Sequence, residues 1–407
     1  MRLAARILTA YVLLTLLFTG VLTAAFSIPT RALEDHVRQS VQQVAGDGPM
    51  FTWQVGLLQP YKLGSFSDCL MLGIAYSADN SRPLQSAMSA VFPMKDGSPV
   101  AGARLMLDSP DAEGLQPVVY SRYWHGNQAL LRPLLCVTTV RGLRAVNMVL
   151  LTLLLVALFV VMGRRTNLKD ALIVTLCLAA VMIPSVPLCM NYVPCFYIAL
   201  TASLLILTWK PVTARWENTV LAFFVIGALT TFFDLLTTPM IAMAVPLTVY
   251  MLYRRPEHTW RTLILLALAW LLGYASLWAT KWLLAALLTG HAAFQDAFGA
   301  VTQRTVGHGE GDYMLWCLKM TCLVLAAVVA ATAAVIAAFG QSRQSLCRHS
   351  WLLLLAMSSF VWTFVLLEHT WHHLHFTWRT YVVLLIGITL YLRYTLDLRH
   401  PFALFKK

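Results

Sequence analysis

MRLAARILTAYVLLTLLFTGVLTAAF, residues 1–26, decides the class of protein. Arg2 and Arg6 precede an apolar run of about 19 residues, longer than the roughly 7–15 of a secretory signal's apolar core. It comes close to the roughly 20 helical residues that span a hydrocarbon layer of about 30 Å. An uncleaved signal-anchor helix with its N-terminus inside is expected. Cleavage near Ala24-Ala25 is the alternative, and it would leave the new N-terminus outside.

Further apolar stretches follow near 145–162, 171–187, 194–209, 217–236, 238–253, 262–283, 313–339, 350–367 and 377–393, so about ten spans are expected. Backbone groups in lipid must pair internally, so these read as helices. The composition agrees: 59% hydrophobic, 12% charged and a mean hydropathy of +0.69, whereas soluble domains carry about 25% charged residues. The fold class read from sequence is an all-α polytopic membrane protein. A signal anchor (1–26) leads to an extracytoplasmic loop subdomain (27–144), then to a bundle of about nine helices (145–407).

The net charge of +12 could suggest nucleic acid, but the positions of the charges point to topology instead. With the N-terminus inside, the inner segments carry Arg164, Arg165, Lys169, Lys210, Arg215, Arg254, Arg255, Arg261, Arg343, Arg348, Arg393, Arg399, Lys406 and Lys407. Short outer loops and helix ends hold only Lys281, Arg304, Lys319 and Arg379. This asymmetry follows the positive-inside rule, suits anionic lipid, places both termini in the cytoplasm and argues against a nucleic-acid partner. All inner loops are short, leaving no cytosolic domain for ATP or a nucleotide sugar. The glycine-rich GHGEGD (307–312) lies outside, follows no strand and reads as a flexible loop.

Within the outer segment, RALEDHVRQSVQQV (31–44) spaces Leu33, Val37, Val41 and Val44 along one helical face, for a helix on the membrane surface or on other helices. Five prolines and several glycines over 77–117 read as irregular loop. Pro133 is expected to bend the approach to the second span. Cys189 and Cys195 close the loop LCMNYVPC and are either a disulfide pair or buried small hydrophobes.

Four polar groups gather at the outer face. Asp68, in GSFSDCLMLGIAY, is either a general base or part of a helix N-cap. In YSRYWHGNQALLRPLL (120–135), Arg122, His125 and Arg132 sit among Tyr120, Tyr123 and Trp124. That mixture suits a phosphate-bearing sugar headgroup as well as an interfacial anchor. Asp234, in TTFFDLLTTP, is an acid at a span end, either functional or loop-capping. EHTWHHLHFTWRTY (368–381) supplies Glu368, His369, His372, His373, His375 and Arg379. His369 and His373 are one helical turn apart, but nothing in the sequence fixes a third ligand. A divalent metal is therefore an option and not the preferred reading; no metal ligand is assigned, and phosphate binding is favoured.

YSRYWHG followed by RPLL, together with His-x3-His-x5-Arg at the outer end of a late helix, resembles a group of uncharacterised bacterial membrane proteins similar to the GT-C class of membrane glycosyltransferases. The matching positions are Tyr120, Arg122, Tyr123, Trp124, His125, Gly126, Arg132 and Pro133, then His369, His373, Thr377 and Arg379. An acid in the loop after the first helix is a trait of that class, and Asp68 takes that place. The chain departs from the pattern at Glu368-His369 and Trp378-Arg379. The resemblance implies a bacterial inner membrane, a lipid-linked sugar donor and transfer at the outer surface.

Elimination leads to the same class, since an outer site lacks nucleotide sugars and an activated sugar must arrive on a lipid. The expected reaction is inverting transfer from a polyprenyl-phosphate sugar to a glycan, lipid or protein acceptor. Asp68 would be the base, with Asp234 in reserve. Arg122, His125, Arg132, His369, His373 and Arg379 would hold the phosphate. Tyr120, Tyr123, Trp124 and Glu368 would position the sugar. The alternatives are a flippase or carrier of a lipid-linked saccharide, or a glycan polymerase or ligase.

Overall fold

A computed structural model describes residues 2–47, 62–306 and 311–398. Every apolar stretch read from the sequence coincides with a helix. Among the described residues, six helices are long and apolar enough to cross a membrane: Leu3–Phe26, Val140–Arg165, Trp216–Phe233, Thr259–Thr289, Asp312–Phe339 and Leu374–Thr395. The last includes a short 3-10 turn at Trp378–Tyr381. Shorter apolar helices, Leu168–Met182, Val193–Thr208, Pro239–Arg254 and Trp351–Val365, occupy the remaining stretches. Leu8, Leu13, Leu16, Leu153, Val156 and Leu323 point outward, as apolar side chains do when their solvent is hydrocarbon. Part of GHGEGD, together with Arg399, Lys406 and Lys407, lies outside the described residues.

The helix Pro239–Arg254 is apolar on all sides and buried over nearly its whole length, which makes it the axis of the bundle. Beside it, Trp216–Phe233 and Thr259–Thr289 cross at backbone contact through Gly227 and Gly273. At the end carrying the basic loops, Arg393 and Tyr394 meet the buried Asp170, tying the last helix to Leu168–Met182.

The segment after the first helix is more ordered than its prolines suggest. The expected helix is present as Glu34–Ala45 and buries Val37, Val41 and Val44 against the helix Ser65–Tyr76. The irregular loop expected over 77–117 is instead two helices, Pro83–Ser89 and Pro99–Asp108, and two antiparallel strands, Val91–Met94 and Gln116–Val119, with Val91 opposite Val119. Pro83 and Pro99 stand at the first helical position, where a missing N–H costs nothing and the fixed φ is already helical. Ser98 caps the second helix by accepting from the Ala101 N–H at 3.3 Å. Pro83 and Pro99 thus start helices, while Pro93 and Pro117 face each other across the strand pair.

This subdomain is bonded to the bundle. Lys281, wholly buried on Thr259–Thr289, donates to the Met88 and Ala87 carbonyls at 2.8 and 3.2 Å, closing the C-terminal end of Pro83–Ser89. Trp124 Nε1 donates to the Leu277 carbonyl at 2.7 Å, and its ring packs on Phe18 and Phe232.

Candidate functional site

Where the subdomain meets the bundle, a cavity of about 580 Å3 opens. Asp47, Lys62, Ser65, Ser67 and Tyr120 line it from the subdomain side. Asn191, Leu235, Arg304, His369, His372, His373 and His375 line it from the bundle side. Two of the expected polar groups, the Asp68 helix and the histidine stretch, are therefore brought to one space although they lie some 300 residues apart in sequence.

Asp68 sits in the first turn of Ser65–Tyr76, one residue after the cavity-lining Ser67, and is wholly buried. The alternative role, a side-chain N-cap, is not formed; Gly64 occupies that position. Neither carboxylate oxygen has a hydrogen bond of normal geometry, though the Met190 and Asn191 backbone N–H groups face it. Arg144 Nη2 lies 3.7 Å from Asp68 Oδ2 and is bonded more closely to Asp47. Loss of hydration pushes the Asp68 carboxyl up to about 7, with Arg144 opposing. The acids therefore form an Asp68–Arg144–Asp47 array in which Asp68 is buried and the partly exposed Asp47 is the cavity-facing member.

Two cations line the same cavity. Arg304 reaches the cavity from the helix Ala293–Val306, its guanidinium 5.6 Å from the Tyr123 ring. Lys62 approaches from the subdomain. The helix expected to carry His369 and His373 ends at His372, because the chain turns at His373 before the short helix Leu374–Thr377. Their rings still lie 4.8 Å apart. His369 Nε2 is 2.9 Å from the Leu236 carbonyl, so it is the donor and Nδ1 is left without a partner. Burial, reinforced by Arg304, pushes His369 down to about 3, and it is neutral at pH 7. Glu368 lies 3.9 Å from His372. Among the described residues no three His, Cys, Asp or Glu side chains are placed to hold a metal ion.

Other residues singled out from the sequence lie in the surrounding frame. Arg122 pairs with Asp296 at 2.8 Å, stacks on Tyr120, and its carbonyl accepts from Trp278 and Trp282. His125 Nε2 bonds the Tyr120 carbonyl at 2.9 Å, and burial holds it neutral by pushing it down to about 3. Arg132, wholly buried, donates to the carbonyls of Ala25, Ile28 and Ala75, fastening the ends of two helices. Arg379 donates to Ser185 Oγ at 2.6 Å and stacks on Tyr192. Tyr123 and Trp124 are buried, Tyr123 stacking on Trp278. Asp234 closes a turn by accepting from the Thr237 N–H and hydroxyl, the loop-capping role. All eight cysteines are free; Cys189 Sγ accepts from the Gly64 N–H at 3.2 Å, and Cys195 lies beside Thr237.

Sequence reasoning missed Asp47, Arg144, Lys62 and Arg304 as site residues. Arg304 carried one signal, as one of few basic residues expected on the outer side. Asp47 and Arg144 carried none, since their pairing spans 97 residues. Comparison with known proteins finds no matching family model, no matching curated protein and no matching solved structure.

Proposed function

We propose that this protein is a membrane glycosyltransferase moving a sugar from a polyprenyl-phosphate donor to an acceptor at the extracytoplasmic face. The observation carrying the reading is one cavity lined both by the carboxylate of Asp47, which shares Arg144 with the buried Asp68, and by Lys62, Arg304 and a group of histidines. In the reaction, an acceptor hydroxyl oxygen bonds to the anomeric carbon as that carbon's bond to the phosphate oxygen breaks. Polyprenyl phosphate departs with the bonding electrons. The hydroxyl proton passes to Asp47, the carboxylate at the cavity surface, with Asp68 and Arg144 setting its position and charge. Lys62 and Arg304 offset the charge on the leaving phosphate, an effect strongest where water is scarce. Tyr120 offers an aromatic face to the sugar.

A carrier would need a polar route for the headgroup through the bundle. The two hollows along the helix Val193–Thr208 are overwhelmingly apolar, which favours transfer over transport. The test uses purified protein in lipid with a panel of labelled polyprenyl-phosphate sugars, following donor cleavage with and without cell-envelope acceptors. Turnover that depends on Asp47 or Asp68 is the expected result. Donor binding without cleavage across the panel would overturn it.

A further inference from the structure

A second hollow, of about 520 Å3, runs along the helices Val193–Thr208 and Trp216–Phe233, with its mouth at the end of the bundle away from that cavity. Its walls are aliphatic, with Leu205, Leu221, Val225 and Leu229 prominent, and its mouth is not. Arg6 stands there, exposed, donating to Asn218 Oδ1 at 2.8 Å, and it takes part in no ion pair among the described residues. Trp209 lines the same mouth at 56% exposure, as an indole at a membrane–water boundary does. Lys210 and Arg215 follow in the adjoining basic loop.

Length selects the occupant. The lining of Val193–Thr208 and its cap runs from Tyr197 to Trp209, about 18 Å at 1.5 Å per residue. That is close to one leaflet, half of a hydrocarbon core of about 30 Å. A chain entering beside Arg6 would therefore lie along the groove within a single leaflet, with its headgroup phosphate level with the guanidinium. We infer that this groove binds one anionic phospholipid, with an acyl chain between the two helices and its phosphate on Arg6. The inference is independent of the sugar-transfer reading, because it concerns the other end of the bundle and needs no turnover.

The test is native mass spectrometry of the full chain in detergent, titrated separately with dioleoyl phosphatidylglycerol and dioleoyl phosphatidylcholine. Wild type is expected to retain one phosphatidylglycerol with about fivefold preference, the scale of one basic side chain at a membrane surface. Arg6→Gln should reduce that preference to about twofold or less. Ala222→Trp fills the groove and leaves the N-terminal charges untouched, so it should weaken retention of both lipids even if Arg6→Gln inserts poorly. Equal retention of the two lipids by wild type would overturn the inference. So would undiminished retention by Ala222→Trp, or an unchanged preference in a folded Arg6→Gln.

Discussion

Arg144 Nη2 lies 3.7 Å from Asp68 Oδ2 while the same guanidinium forks onto both oxygens of Asp47. One cation is thus shared by two acids, and the closer bond goes to the acid at the cavity surface. Asp68 is wholly buried and left with the weaker attraction, which is why its carboxyl is pushed up to about 7.

That shift makes a prediction about stability. A carboxyl whose pKa is higher in the folded than in the unfolded chain stabilises most below the unfolded value, near pH 4. The contribution is lost as pH rises through about 7. Asp68→Asn, which keeps the neutral shape, should therefore lack this loss. Relative to wild type it should gain stability between pH 5 and 8, by on the order of 2–4 kcal/mol. Melting curves of both proteins across that range check this. Parallel pH profiles would mean Asp68 is not held in the dry environment described.

Asp47 gives a different signature. It is partly exposed and already paired, so Asp47→Asn should leave the melting temperature within a few degrees of wild type. If Asp47 takes the proton, donor turnover should fall by about 10²–10⁴-fold with donor affinity little changed. The split between kcat and KM decides it, since a merely supporting role would move both.

The helices were legible in the sequence because lipid imposes one rule on every span, and runs of apolar residues report it directly. The subdomain was less legible. Pro83, Pro93, Pro99 and Pro117 look like breakers until it is known which begin helices and which face each other across a strand pair. The site was half legible. The histidine stretch and Asp68 stood out as polar groups in apolar surroundings, and the cavity brings both into one neighbourhood. Arg132 stood out for the same reason but serves three backbone carbonyls. A buried cation announces itself in sequence, whereas its partners are chosen by tertiary packing. Asp47 and Arg304 lie in ordinary polar segments, and only the fold turns them to the cavity.

Arg304 and Arg132 should therefore separate cleanly on mutation. Arg304→Gln removes a cavity cation and should weaken donor binding by about 10–100-fold, the scale of a charge-assisted hydrogen bond, with the fold intact. Arg132→Ala strips the carbonyls of Ala25, Ile28 and Ala75 of their donor, at about 1–3 kcal/mol for each left unsatisfied. It should fail to accumulate as folded protein. Donor titrations and gel filtration of the two variants distinguish binding from folding. An Arg132→Ala protein that folded normally but lost donor affinity would move Arg132 into the site.

The frame that holds the cavity rests on a close crossing of two helices at Gly227 and Gly273. A Cβ on Gly227 would come 1.9 Å from the Trp270 carbonyl oxygen, and one on Gly273 would come 2.0 Å from that of Phe224. The obstacle in each case is backbone, which cannot swing aside as a side chain does, so each alanine must push the two helices apart. Small residues permit such close crossings between membrane helices, where dispersion contact replaces the hydrophobic drive. Gly227→Ala and Gly273→Ala should each destabilise by about 1–3 kcal/mol or more. Trp278, farther along Thr259–Thr289, stacks on Tyr123, beside Arg304. Separation of the helices should therefore also reduce turnover without touching a cavity residue. Both substitutions force the same displacement, so the double variant should cost clearly less than the sum of the singles. Strict additivity in thermal melts would show that the two glycines do not share one crossing.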